Sequence, residues 1–96
     1  MNPLILHLKY KYYDMILSGE KTTEYRECKP YWIKRLEGKK EIIFVPGYNL
    51  DNSLNKKATI TNVHFVSFEQ LPKYAQNEFK DSKHKYFIAI YFEIKR

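Results

Sequence analysis

The sequence predicts an α+β fold: a curled five-stranded sheet, or open β-barrel, with small flanking helices. Three observations point there. Apolar periodicities run in the order strand, helix, strand, helix, strand, long loop, strand, helix, strand. The second and third connections differ so much in length and character that a parallel doubly wound sheet fits less well. The apolar alternation of the fourth strand is broken in a way that a bulge in a curled sheet reconciles.

Leu4 to Leu8 places Leu4, Leu6 and Leu8 on one face and forms the first strand. From Tyr10 to Ser18, the residues Tyr12, Tyr13, Ile16 and Leu17 recur at spacings of three and four, and Gly19 stands where a left-handed cap ends a helix. Thr22 to Cys28 is β-branched and aromatic enough for a second strand, with Thr22, Glu24 and Arg26 on one face and Thr23, Tyr25 and Glu27 on the other. Pro30 suits the first turn of a second helix, in which Trp32 and Leu36 lie one turn apart and Gly38 ends the run. Glu41 to Val45 is a third strand. The interval from Pro46 to Lys57 is rich in turn residues, too long for a tight hairpin, and reads as a mobile loop.

In Ala58 to Phe68, Ile60 shares parity with Val66 while Val63 and Phe65 fall opposite, hence the expected bulge. Ser67 with Gln70 fits a capping box, yet Pro72 favours a third helix that starts there and turns Tyr74, Ala75 and Phe79 inward. From Lys85, Tyr86, Ile88, Ile90, Phe92 and Ile94 share one face and Phe87, Ala89 and Tyr91 the other. A strand apolar on both faces belongs inside the sheet.

A chain of 96 residues supports one modest core, so residues 1–96 read as a single domain. At 44% hydrophobic and 17% aromatic the composition excludes a disordered chain, and the large rings offset the short length. The formal charge of +6 favours polyanionic partners, but the lysines are dispersed and form no basic arm, so a solvated Lys-rich surface also accounts for it. No apolar run approaches the roughly 20 residues that cross a bilayer, and the opening lacks a basic stretch leading into an apolar one. A cytoplasmic protein with no membrane partner is expected. Cys28 stands alone, which excludes an internal disulfide and a cysteine-based zinc cage. His7, His64 and His84 lack metal-ligand spacing, so neither metal nor cofactor is expected.

The candidate functional centre is GEKTTEYR, Gly19 to Arg26. Lys21, Glu24 and Arg26 crowd three ionisable side chains into six positions of a strand placed inside the sheet, which is costly unless they are paired or functional. One reading is a structural Glu24–Arg26 ion pair with Lys21 in solvent. The other is a pocket in which Arg26 fixes a carboxylate while Lys21, partly desolvated, supplies a cation or a neutral amine. Tyr25, Trp32 and Tyr48 are candidates for stacking on a base, worth about 1–3 kcal/mol per base. Tyr25 and Trp32 fall in regular elements and suit the core; Tyr48 lies in the loop and suits stacking better.

The run L-H-L-K-x-x-Y from Leu6 to Tyr12, the Ile-x-x-Gly ending at Gly19, the G-x-K-x-x-E-x-R at Gly19, Lys21, Glu24 and Arg26, and the C-K-P-Y-W that follows resemble the ASCH family, in its small stand-alone bacterial or phage form. The likeness is specific over residues 4–36 and is carried beyond them by element order. It implies a PUA-like β-barrel and a cleft beside the motif for RNA or a modified nucleobase. Some small members are amidohydrolases that remove acyl groups from N4 of cytidine derivatives, and at least one is a ribonuclease; fold does not choose between them.

In those amidohydrolases a Lys, a Thr three positions later and a distant Glu form the proposed catalytic set. Lys21 matches the Lys, whereas the next position carries Glu24, with Thr22 and Thr23 beside it. The distant carboxylate matches Glu78 in the A-x-x-E from Ala75, with Glu69 as the other candidate. The resemblance thus implies Lys21, Glu24 and Glu78 as catalytic and Thr22, Thr23, Arg26, Tyr48 and Glu69 as substrate-binding. In the expected mechanism Glu24 takes a proton from water, Lys21 or Arg26 steadies the oxyanion, and Glu78 protonates the leaving amine. The expected function is a metal-independent amidohydrolase for N4-acylated cytidine-type nucleosides such as N4-acetylcytidine, with a modified nucleoside or RNA as partner. The alternatives are an RNA- or modified-base-binding module without turnover, and a ribonuclease. The oligomeric state is left open, with a monomer favoured.

Overall fold

The strand nearest the chain's start and the strand that follows it end up at opposite edges of one sheet, and this separation creates the site. The computed structural model describes residues 2–48 and 51–95. Its elements are β1 (Leu4–Leu8), α1 (Tyr10–Ser18), β2 (Thr23–Glu27), α2 (Pro30–Leu36), β3 (Glu41–Pro46), β4 (Lys56–Ser67), α3 (Lys73–Glu78) and β5 (Tyr86–Ile94). The sheet order is β1-β3-β4-β5-β2. β1 pairs with β3 in parallel and the other neighbours are antiparallel. The fold is α+β, with the five strands curled into a half-barrel. Strand twist rolls such a sheet so that its edges turn toward one another.

The period-two pattern of β1 buries Leu4, Leu6 and Leu8 and exposes the residues between. They meet Tyr13 and Ile16 of α1 and the apolar side chains of β3 and β5 in the main core. On the opposite face of β5, Phe87 packs with Leu71 and Ala75, its ring 5.0 Å from that of Phe79 and 6.2 Å from that of Phe68. Phe87, Ile88, Ala89 and Ile90 are therefore all buried, and β5 lies between β4 and β2, as its two apolar faces require.

The expected bulge is present. Ile60 pairs with Phe92 and Asn62 with Tyr91, so Thr61 is an extra residue in β4. That extra residue places Ile60, Val63 and Phe65 on the face shared with Ile88 and Ile90, although Phe65 is 64% exposed. Gly19 closes α1 at φ 87°, its N–H donating to the Ile16 carbonyl.

Several expectations need correction. Leu17 is exposed, because α1 turns only Tyr12, Tyr13 and Ile16 inward. β2 is shorter at both ends than the stretch from Thr22 to Cys28, and it lies at an edge of the sheet rather than inside it; α2 and α3, not a further strand, flank its charged side chains. The interval from Pro46 to Lys57 is not one loop: Pro46 completes β3, Lys56 opens β4, and a 3-10 turn at Asn52–Leu54 lies between, capped by Asp51 and tied to α1 by the Tyr13 hydroxyl on the Leu54 carbonyl. Asn49 and Leu50 lie outside the described residues. The capping box at Ser67 and Gln70 is also realised, on a 3-10 turn at Phe68–Gln70, and α3 follows separately with Pro72 as its N-cap. Among the described residues no helix is long and apolar enough to cross a membrane.

Two phenylalanines on neighbouring strands separate packing from mere apolarity. Phe87→Ala should lower stability to urea by about 3–5 kcal/mol, whereas Phe65→Ala should change it by no more than about 0.5 kcal/mol. A large loss from Phe65→Ala would mean that its face of β4 is covered.

Candidate functional site in the sheet seam

The turn at Gly19 drops the chain back beneath α1, where the Lys21 N–H donates to the Met15 carbonyl at 3.0 Å. Lys21 and Glu24 are thereby enclosed, with relative exposures of 4% and 5%. A protonated amine has three donors and no acceptor. Lys21 Nζ meets three acceptors: Glu24 Oε1 at 2.9 Å, the Thr23 carbonyl at 2.6 Å and the Tyr74 hydroxyl at 3.3 Å. The rings of Tyr74, Tyr25 and Tyr12 stand 5.1, 5.5 and 5.9 Å from the same nitrogen, within cation–π reach. Each of the three contacts can take one N–H of the Lys21 side chain.

Glu24 and Arg26 share a face of β2, as period two requires, and Arg26 Nη2 donates to Glu24 Oε2 at 2.5 Å. The guanidinium lies over the Trp32 ring at 4.7 Å. Its Nε is buried and has no hydrogen-bond partner among the described residues.

These groups form one wall of a cavity of about 220 Å³. Both edges of the sheet contribute: His7 and Leu8 from β1, residues 24–27 from β2. Tyr12 of α1, Trp32 of α2 and Tyr74 and Glu78 of α3 add to the lining, so the cavity lies between the two edges of the half-barrel. Glu78 Oε2 accepts from the Tyr12 hydroxyl at 2.9 Å and from Lys9 Nζ at 3.4 Å. Tyr12 thus joins the two halves of the site, its ring toward Lys21 and its hydroxyl on Glu78.

Burial, reinforced by the Glu24 carboxylate, pushes the Tyr74 phenol up to about 12. Burial and the hydrogen bond to Glu78 push Tyr12 to about 12 as well. Burial also raises Tyr25. The three rings around Lys21 are therefore neutral phenols across the physiological range.

Of the residues expected to form the site, Lys21, Glu24, Arg26 and Glu78 line the cavity. Thr23 offers Lys21 its carbonyl rather than its hydroxyl. Thr22 is exposed outside the lining, and its carbonyl accepts from the Phe92 N–H. Tyr48 is 86% exposed and stacks at 4.7 Å on His7, so it adjoins the cavity without lining it. Glu69 lies on the capped 3-10 turn, exposed and away from the lining. Tyr25 and Trp32, expected to suit the core, are partly buried and line the cavity. Tyr12, Tyr74 and His7 were not anticipated as site residues. The available signal was tyrosine, rather than phenylalanine or leucine, at inward positions of α1 and α3, since a buried phenol needs a polar partner. Among the described residues no group of three or more His, Cys, Asp or Glu is placed to hold a metal ion.

Lys21→Met should destabilise the protein by about 3–5 kcal/mol, because it leaves the buried Glu24 carboxylate short of a partner. With Glu24→Gln already in place the cost should shrink, giving a coupling energy of about 0.5–3 kcal/mol in a denaturation cycle; independent costs would mean the pair does not act as a unit. The phenols make a second expectation. Their pKa in the folded chain lies above the ordinary value of 10.0, so the folded state keeps protons that the unfolded chain loses between pH 10 and about 12. Stability present below pH 10 should fall through that window, and Tyr74→Phe should flatten the fall, as read by denaturation at stepped alkaline pH.

Compared with protein-family models, curated proteins and solved structures, the chain gives no significant match to any of them.

Proposed function

We propose that this chain is an ASCH-type domain with the PUA-like fold, and that its seam cavity binds a cytosine-type nucleoside and hydrolyses an acyl group carried on N4. One observation supports this above the others: Glu78, from α3, lines the same cavity as Lys21, Glu24 and Arg26 of the β2 motif. A cavity of about 220 Å³ falls below the roughly 300–1,000 Å³ of drug-sized sites, which suits a single planar base.

The surroundings of the two carboxylates divide their roles. Glu24 is buried and spans two cations, so it orients Lys21 and Arg26 rather than handling a proton. Glu78, with a side chain 32% exposed, accepts hydrogen bonds from Tyr12 and Lys9 and is the better general base. It takes a proton from a water whose oxygen bonds to the acyl carbon. The positive charges of Arg26, in the cavity lining, and of Lys21 beside it stabilise the resulting oxyanion. The C–N4 bond then breaks, Glu78 returns its proton to the departing N4 amine, and a carboxylic acid and the unmodified nucleoside leave.

A second reading, recognition of a modified base without turnover, is favoured by the saturation of the motif: all three Lys21 donors and both Glu24 oxygens are engaged by the protein itself. Purified protein incubated with N4-acetylcytidine distinguishes the two. The hydrolase should release cytidine, and Glu78→Gln should lower kcat by about 10²–10⁴-fold while the fold is kept. Tight binding of N4-acetylcytidine without release would leave the binding module; neither binding nor release would sink both.

A further inference from the structure

The segment joining α3 to β5 has no part in the site as described. Residues 80–85 read Lys-Asp-Ser-Lys-His-Lys, three lysines and a histidine against one aspartate. The segment is folded against the cavity wall. Phe79, which leads into it, lines the cavity, as does Glu27. Ser82 Oγ donates to Glu27 Oε2 at 2.6 Å. The Ser82 N–H closes a turn on the Phe79 carbonyl at 2.9 Å, and the His84 N–H donates to Ser82 Oγ at 3.2 Å.

Glu27 faces the loop through Ser82 and His84: the Ser82 hydroxyl, Lys29, whose Nζ lies 3.5 Å from Oε1, and His84 hold its carboxyl below the usual carboxylate range. Among the described residues, Lys80, Lys83 and Lys85 form no ion pair. Three lysines without an ion-pair partner among the described residues thus flank a segment that Ser82 anchors to Glu27, a residue of the cavity lining. A neutral nucleoside offers these lysines nothing, whereas a phosphate accepts charge-assisted hydrogen bonds from them.

We propose that residues 80–85 form a phosphate subsite on the cavity rim, so that the preferred occupant is a nucleoside monophosphate rather than the free nucleoside. The proposal rests on the nucleobase reading of the cavity, which receives the other half of the ligand. Ser82 sets the position of the loop, and Lys83 and Lys85, either side of His84, supply the charge.

Calorimetric titration with unreactive probes tests it without depending on turnover: cytidine, cytidine 5′-monophosphate and ribose 5-phosphate, against the wild type and the Lys83→Ala/Lys85→Ala variant. The monophosphate should bind at least about tenfold more tightly than cytidine. That ratio should fall toward one in the variant, and added salt should reduce it in the wild type. Equal affinities for cytidine and its monophosphate, or a variant that weakens both by the same factor, would overturn the subsite. Ribose 5-phosphate separates the two readings: binding that depends on the lysines when cytidine does not bind would keep the subsite and remove the nucleobase assignment. A 5′-hydroxyl oligonucleotide that binds more tightly than the monophosphate, with a steep salt dependence, would overturn the mononucleotide in favour of a strand.

Discussion

The buried pairing of Glu24 with Lys21 on one side and Arg26 on the other is the constraint on which the surrounding structure depends. Taking a charge out of water costs several kcal/mol per ion even after relaxation, so a buried ion pair survives only with its remaining donors and acceptors matched. Here the matches come from separate parts of the chain. Thr23 supplies a carbonyl from β2 itself, Tyr74 a hydroxyl from α3, and Trp32 of α2 the surface under the guanidinium. The register of β2 follows from the same requirement. Glu24 lies opposite Ile90 and Arg26 opposite Ile88; a slip of one residue would send both charges to the face of Phe87.

The seam that holds this network is also where the sheet most needs protection, since an edge strand presents unpaired backbone groups. α2 answers both needs. Arg35 donates to the Ile5 carbonyl on the β1 edge at 3.3 Å while its guanidinium stacks 5.3 Å from Trp32, the ring that faces Arg26 on the β2 edge. A helix with no fully buried residue therefore has a clear purpose. It reaches one edge through Arg35 and walls the cavity at the other through Trp32.

How much of this was legible in the sequence depended on the range of the interactions. β1 and β5 were readable because period two is a local property, and the bulge at Thr61 was readable because the parities of Ile60 and Phe65 conflict within six residues. The Glu24–Arg26 pair followed from the same periodicity. The burial of Lys21 did not, since one of its acceptors is the hydroxyl of Tyr74, 53 positions away, and a lysine at the start of a strand is ordinarily solvated. The order within Pro46 to Lys57 was hidden for a like reason: Tyr13 on α1 ties Leu54 down, and turn-rich composition carries no trace of that contact. The motif was thus visible as a cluster, but the cage of tyrosines around it was visible only in three dimensions.

The network is more costly than the fold alone requires, and this bears on its purpose. Replacing a buried ion pair by well-packed apolar residues is often neutral or stabilising by about 1–4 kcal/mol, against a total stability of about 5–15 kcal/mol for an ordinary domain. A purely structural pair would at least be complete. This one leaves Arg26 Nε buried without an acceptor, and a buried unsatisfied donor costs about 1–3 kcal/mol. Arg26 is one of the residues that line the cavity, and this donor is shielded behind its surface. The extra cost is thus carried by residues that line the cavity, not by the apolar core that holds the strands together.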